Sequence, residues 1–311
     1  MKVYRSIDQF PTDIKTVITI GTFDGLHKGH QYILKRLNKI AQNESAESVL
    51  LTFFPHPRHV LFQEDQSLKL LNTLDEKIQE LEKTGLQHFI IHEFTKEFSR
   101  TKSINFIRDI LVSKLKMQYM VVGYDHHFGR NREGSFKELK ELSELYHFNL
   151  EEIPAQEAED VTISSTKIRN ALLEGKVQKA NALLGYSYIL SGKVIKGNQL
   201  GRKIGYPTAN IKVHNNWKLI PADGVYAVKV RVNNRGYFGM LNIGVKPTID
   251  NNKHQIEVHI FNFSKQIYDQ DISVEMIKRI RDEKQFDDLK ALGDQLKRDE
   301  NKCKKLFKLL R

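Results

Sequence analysis

His27 and His30 stand three residues apart at the end of a glycine-rich stretch, Gly21-Thr22-Phe23-Asp24-Gly25-Leu26-His27-Lys28-Gly29-His30. A short β-branched run, Val17-Ile18-Thr19-Ile20, precedes it, and a helical pattern follows. Glycine lets a backbone approach a ligand closely and adopt positive φ. A helix N-terminus offers unpaired N–H groups and the positive end of its dipole, so anions are favoured there. Two side chains at i,i+3 share one helix face. Imidazolium N–H groups so placed suit the charge on a phosphate under attack. That is the need of nucleotidyl transfer, in which a phosphate oxygen attacks the α-phosphate of ATP. The competing reading is a strand-to-helix turn whose glycines serve packing and whose histidines are solvated. A zinc site is disfavoured, because a catalytic zinc needs three protein ligands and no third is placed.

A second group, Ile163-Ser164-Ser165-Thr166-Lys167-Ile168-Arg169, opens another helical stretch. Ser165 can cap that helix, and its free amides with Lys167 or Arg169 can hold a triphosphate. Alone, this is an ordinary N-cap. With the Gly/His turn it resembles the two-part signature of the HIGH-type nucleotidyltransferase superfamily. Class I aminoacyl-tRNA synthetases share the layout, so tRNA stands as a competing partner. Between the two lies Gly123-Tyr124-Asp125-His126-His127-Phe128, where a second substrate would sit. Asp125 can accept a ring N–H there and Phe128 can stack.

A third group lies further on: Gly192-Lys193-Val194-Ile195-Lys196-Gly197, then Gly201-Arg202-Lys203-Ile204-Gly205-Tyr206-Pro207-Thr208-Ala209-Asn210. Backbone N–H groups in such a loop can wrap phosphates, although the spacing is not that of a P-loop. Thr208 and Asn210, two apart, share one side of a strand and offer hard oxygens suited to Mg²⁺ with an ATP phosphate. Glu257 sits mid-strand in Glu257-Val258-His259-Ile260, with Val258 and Ile260 on the opposite face. A carboxylate there can take a proton from an attacking hydroxyl. Exposed strand glutamates are common, so this site is weak when read alone.

The elements that must position these groups follow from periodicity. Strands are expected at Val17–Ile20, Val49–Phe54, Phe89–Ile91, Tyr119–Val122 and Phe148–Ile153. Helical patterns alternate with them: Ile33, Leu34, Leu37, Ile40 and Ala41; a capping box at Thr73–Glu76 with Ile78 and Leu81 inward; Ile104, Ile107 and Leu111; and Phe136, Leu139, Leu142 and Leu145. Alternation of this kind predicts an α/β domain with a doubly wound parallel sheet, its ligands at the carboxyl ends of strands. One helical stretch is expected over roughly 166–184. From Ile189 the texture changes to six short strands, Ile189–Ile195, Thr208–Val213, Val225–Val232, Tyr237–Ile243, Gln255–Phe261 and Ile272–Ile280, with turns such as Asn233-Asn234. These predict a small antiparallel barrel followed by a C-terminal helix from Phe286. The expected domains are 1–185 and 186–311.

With 311 residues, two domains is the prior. Hydrophobic residues at 40% and charged residues at 28% exclude a disordered or collagen-like chain. A net charge of +11 suits a polyanionic partner. The single cysteine, Cys303, excludes an intramolecular disulfide and fits a reducing compartment. No apolar run reaches membrane-span length, and the first fifteen residues lack a signal-peptide apolar region.

Taken together, the motifs resemble one family from Gly21 to about Phe286: the bifunctional riboflavin kinase/FMN adenylyltransferases of bacteria, or prokaryotic FAD synthetases. The matching segments are Gly21–His30, Ile163–Arg169, Gly201–Asn210, Gly224-Val225-Tyr226-Ala227, Asn242-Ile243-Gly244 with Pro247-Thr248, and Glu257-Val258-His259. Phe54 before Pro55 departs from the acidic residue expected there.

The resemblance implies two steps. Riboflavin and ATP give FMN at the barrel. FMN and ATP then give FAD and pyrophosphate at the α/β domain. It implies His27 and His30 as assistants of adenylyl transfer, with Gly21, Phe23, Gly25, Ser165 and Arg169 on ATP and Asp125 and Phe128 near FMN. In the kinase it implies Gly201, Lys203, Gly205 and Pro207 on ATP, Thr208 and Asn210 on Mg²⁺, Glu257 as base, and Arg281 and Phe286 closing over flavin. No tightly bound prosthetic group, nucleic acid or membrane is implied; the location is cytoplasmic and self-association is left open. An RNA-binding reading would need a basic stripe with stacking aromatics and would leave Thr208, Asn210 and Glu257 without a role.

Overall fold

The computed structural model describes residues 1–65, 67–123, 134–154, 163–197, 200–245 and 254–309. By contacts the chain forms two compact units. The first comprises Met1–Lys69 and Lys77–Ser164; the second comprises Leu70–Glu76 and Ser165–Arg311.

The first unit holds a parallel sheet of six strands: β1 (Lys2–Tyr4), β2 (Thr16–Ile20), β3 (Glu47–Phe54), β4 (His88–Glu93), β5 (Met117–Gly123) and β6 (Asn149–Ile153). Their order is β1-β4-β3-β2-β5-β6. β2 is buried along its whole length, as a central parallel strand covered on both faces must be. After β2 the chain turns to β3 on one side; after β4 it crosses to β5 on the other. The order therefore reverses between β2 and β5, and ligands of such sheets bind outside the carboxyl ends of strands at that point. The Gly21–His30 segment leaves β2 there.

The helix Lys28–Asn43 buries Leu34, Leu37, Ile40 and Ala41, the face expected from their spacing. The capping box forms as read: Thr73 N donates to Glu76 Oε2 at 2.9 Å and Glu76 N to Thr73 Oγ1 at 3.2 Å. It opens the helix Leu74–Glu82. Three expectations are corrected. Ile104 and Leu145 face solvent, 38% and 59% exposed, while Ile107, Leu111, Leu139 and Leu142 are buried. Leu145 lies in the last turn before the left-handed cap His147. Strand β1, too short to show a period, was not expected.

In the second unit β7 (Tyr188–Ile195), β8 (Ala209–Val213), β9 (Gly224–Val232), β10 (Arg235–Val245), β11 (His254–Ile260) and β12 (Asp271–Arg281) close an antiparallel barrel in the order β10-β11-β8-β7-β12-β9. Alternation explains the closure: Ile272, Val274 and Met276 on β12 are buried while their neighbours are not. Asn233 and Asn234, at φ 47° and 62°, make the β9–β10 hairpin, whose two-residue turn needs positive φ at both positions. The helix Leu289–Leu309 follows. The expected 166–184 helix is two helices, Ser165–Leu173 and Val177–Leu184. They part at Gly175, whose φ of 72° stops a right-handed helix. Both pack with the barrel unit rather than with the sheet.

Candidate active sites

In the first unit, the turn after β2 carries three residues in the left-handed region: Phe23 (φ 45°), Gly25 (φ 83°) and Leu26 (φ 35°). For Phe and Leu such backbone costs about 1–3 kcal/mol each and persists where neighbours enforce it. The neighbours are visible. Leu26 N donates to Phe23 O at 3.3 Å, and Gln31 Nε2 donates to Leu26 O at 2.8 Å. A Cβ on Gly21 would lie 3.1 Å from the Phe23 ring, so any larger residue there would press on the ring. Phe23, Asp24, Leu26 and His27 are all buried.

His27 caps the helix Lys28–Asn43: its Nδ1 accepts the His30 N–H in a long 3.4 Å bond. An accepting Nδ1 puts the neutral ring's proton on Nε2. The His27 and His30 rings stack at 3.7 Å, and Phe23 stacks on His30 at 4.5 Å. Desolvation first, then the charges of His27 and Lys77, hold the His30 imidazole well below its usual pKa. The expectation of two imidazolium donors is therefore revised. Burial favours the neutral form of His30, and two cations cannot comfortably stack at this distance. A neutral ring still donates one N–H.

Lys77 was not singled out in the sequence. Its Nζ donates to the Thr22 carbonyl at 2.6 Å, and burial lowers its pKa while the Asp24 carboxylate counters part of that. The capping box Thr73–Glu76, just before it, fixed its helix, and Leu81 one turn on is buried on the same face; that was the legible sign. Asp125 and Phe128 lie outside the described residues. Ser165 is the first residue of the helix Ser165–Leu173, so the capping position falls on Ser164. Arg169 is half-buried one turn later.

In the second unit, β8 and β11 bring the expected kinase residues together. Asn210 and Glu257 are register partners, and Thr208, immediately before β8 rather than on it, donates its hydroxyl to Glu257 Oε2 at 3.1 Å. Glu257 faces away from Ile256, Val258 and Ile260, which are buried. Asn210 is buried, and its Oδ1 accepts from Gln255 Nε2 at 2.8 Å, which orients the amide. A Cβ on Gly197 would lie 2.1 Å from Asn210 Nδ2. Gly201 opens the turn that holds Gly205 (φ 81°) and Pro207: Tyr206 N donates to Gly201 O at 2.8 Å. Lys203 ends the short helix Leu200–Lys203.

A cavity of about 360 Å³ adjoins this pair, lined by Thr208, Pro207, Arg202, Val194, Phe263 and Tyr268 among others. Phe263 and Tyr268 are aromatic lining the sequence reading missed; they follow β11 in a segment without period. Arg281 and Phe286 do meet: the guanidinium lies 5.7 Å from the ring centroid. Arg281 Nε also donates to the buried Asp299 at 2.8 Å, from the C-terminal helix. Among the described residues no cluster of three His, Cys, Asp or Glu could cage a metal. The Thr208 hydroxyl and Asn210 carbonyl are hard oxygens, and fit a divalent ion that keeps most of its waters and arrives on a nucleotide phosphate.

The parallel sheet with a phosphate-type turn at its reversal point, and the six-stranded barrel with a hydroxyl–amide–carboxylate group, define a nucleotidyltransferase unit and a kinase unit. The FAD synthetase family matches residues 9–167, and the riboflavin kinase family matches residues 184–307. Relatives described as bifunctional riboflavin kinase/FMN adenylyltransferase include one from Buchnera aphidicola, 38% identical and covering 100% of both chains. Another, from Listeria monocytogenes, is 37% identical over 95% of this chain and 94% of its own. One from Escherichia coli K12 is 35% identical over 99% of each. A solved structure described as a macrolide-efflux protein from Streptococcus pneumoniae superposes with a TM-score of 0.88, at 32% identity over 96% of this chain and 97% of that one.

The chain belongs to the family of bifunctional riboflavin kinase/FMN adenylyltransferases. It is an ATP-dependent enzyme of flavin cofactor synthesis with both activities, and its substrates are riboflavin, FMN and ATP. No helix among the described residues is long and apolar enough to cross a membrane.

Proposed function

We propose that the two reactions are divided between two residue sets, one within a functional module 1–185 and the other within a module 186–311. The observation that carries this reading is that each unit holds its own chemistry: stacked His27 and His30 in the first, hydrogen-bonded Thr208 and Glu257 in the second.

In the kinase reaction the ribityl 5′-hydroxyl attacks the γ-phosphorus of ATP and ADP leaves. Glu257 accepts the hydroxyl proton, and the Thr208 hydrogen bond holds its carboxylate in place. Thr208 and Asn210 would hold Mg²⁺ with ATP, and the ion when bound screens phosphate charge. The turn with Gly201, Gly205 and Pro207, with Lys203, receives the nucleotide, and Arg281 with Phe286 covers the flavin. In the second reaction a phosphate oxygen of FMN attacks the α-phosphorus of ATP and pyrophosphate leaves. His27 and His30 donate N–H groups to the phosphate under attack, at the amide-rich start of their helix. Ser165 and Arg169 hold the triphosphate, and Asp125 and Phe128 meet FMN. A cytoplasmic location belongs to this reading, supported by ATP and flavins as substrates.

The test is a pair of substitutions in the full chain. His27→Ala should abolish FAD formation from FMN and ATP while sparing FMN formation. Glu257→Ala should do the reverse. Loss of both activities in either variant would refute the division.

A further inference from the structure

Lys77 is half-buried, with its ammonium directed onto the turn after β2. Its Nζ donates to the Thr22 carbonyl at 2.6 Å, inside the turn that runs from Gly21 to His27. Asp24, buried at 3% exposure, supplies the nearby opposite charge. The next residues, Phe23, Gly25 and Leu26, all have positive φ, and the turn ends in the His27–His30–Phe23 stack. Thr22 lies past the end of β2, outside the strand ladder. A charged donor with a short bond fixes its carbonyl better than a neutral one. Lys77 reaches the turn from the helix Leu74–Glu82, whose own start is set by the Thr73–Glu76 capping box. The turn is thus pinned from outside by a separately stabilised element.

We propose that Lys77 is a positioning residue for adenylyl transfer: by binding the Thr22 carbonyl it holds the Gly21–His27 turn in its left-handed form and so keeps His27 and His30 stacked at the helix start. This rests on the reading of His27 and His30 given above. Lys77 acts through the turn and does not touch the reacting atoms.

Lys77 also bears on the protonation of His30. The groups acting on that imidazole are His27 and Lys77, both of which disfavour its charged form, on top of desolvation. Removing the ammonium relieves one of them, so His30 should take up a proton at higher pH.

The experiment compares the full chain with Lys77→Met and Lys77→Arg. FAD formation from FMN and ATP is followed from acid to alkaline pH, and riboflavin phosphorylation by the same preparations is the internal control. Lys77→Met should lower kcat for FAD formation by about 100-fold, the effect of a catalytic group misplaced by about 1 Å, with a smaller change in KM. Its acid limb should move to higher pH, and riboflavin phosphorylation should stay at the parent rate. Lys77→Arg, still a charged donor, should recover part of kcat. Parent kcat and an unshifted acid limb in Lys77→Met would overturn the proposal. So would a parallel fall of both activities, which would mark a general loss of fold. If instead His27→Ala forms FAD at the parent rate, the reading of the histidines fails, and the positioning role falls with it.

Discussion

Glu76 shows how far one residue can be read locally. Its spacing from Thr73 announced a capping box, an i,i+3 exchange that needs only the helix start. The structure adds two partners from far along the chain. Its Oε2 also accepts from Lys218 Nζ at 2.6 Å, 142 positions away, and its Oε1 accepts from Ser191 N at 3.0 Å. Lys218 and Glu76 side chains are 0% and 1% exposed, and the ammonium lies 4.2 Å from the Tyr188 ring centroid. Breaking a buried pair strands a charge, whereas removing both charges often costs little. Glu76→Gln should therefore destabilise the second unit by about 3–5 kcal/mol in denaturant unfolding, and adding Lys218→Met should recover most of it. Equal stability of Glu76→Gln and parent would deny the pair this role.

At the scale of elements, the barrel strands were legible as short apolar runs separated by turns rich in Gly, Asn and Pro. The meeting of β7's exit with β8 was not. Gly197 reads as one glycine in a basic loop, yet its α-carbon lies so near Asn210 that a Cβ would sit 2.1 Å from the amide nitrogen. Asn210 is the register partner of Glu257. Gly197→Ala should thus push Asn210 away and lower riboflavin phosphorylation by about tenfold or more, since small misplacements are costly. FAD formation from supplied FMN should be unchanged. Unaltered phosphorylation would mean that the loop yields instead. The break at Gly175 was missed for a related reason: the apolar pattern runs through it, and only its positive φ divides the helix.

At the scale of the molecule, a unit need not be one stretch of chain. Leu70–Glu76 belongs to the barrel unit, although its sequence neighbours belong to the sheet unit. Leu70 N donates to Trp217 O at 2.6 Å and Leu219 N to Leu70 O at 2.9 Å; Lys218 Nζ donates to Leu71 O at 2.6 Å. A fragment covering 165–311 lacks this strap and leaves the Lys218 ammonium buried without its counterion. In thermal unfolding it should melt below the corresponding transition of the full chain, and Lys218→Met within the fragment should raise its midpoint. A fragment as stable as the parent unit would show the strap to be dispensable.

Spacing carried the class of fold and the strand plan short of β1; it marked the glycines, histidines, Thr-x-Asn and glutamate as candidates, and their roles came from resemblance to a family. The plan and the candidates rest on neighbours within a few residues, where periodicity and turn chemistry act. The protonation of His30, the grip of Lys77 on Thr22, the Phe263 and Tyr268 walls of the cavity and the burial of Glu76 with Lys218 were settled only when distant segments packed. Desolvation and long-range pairing are properties of what surrounds a group in space, and a linear order of residues does not contain that surrounding.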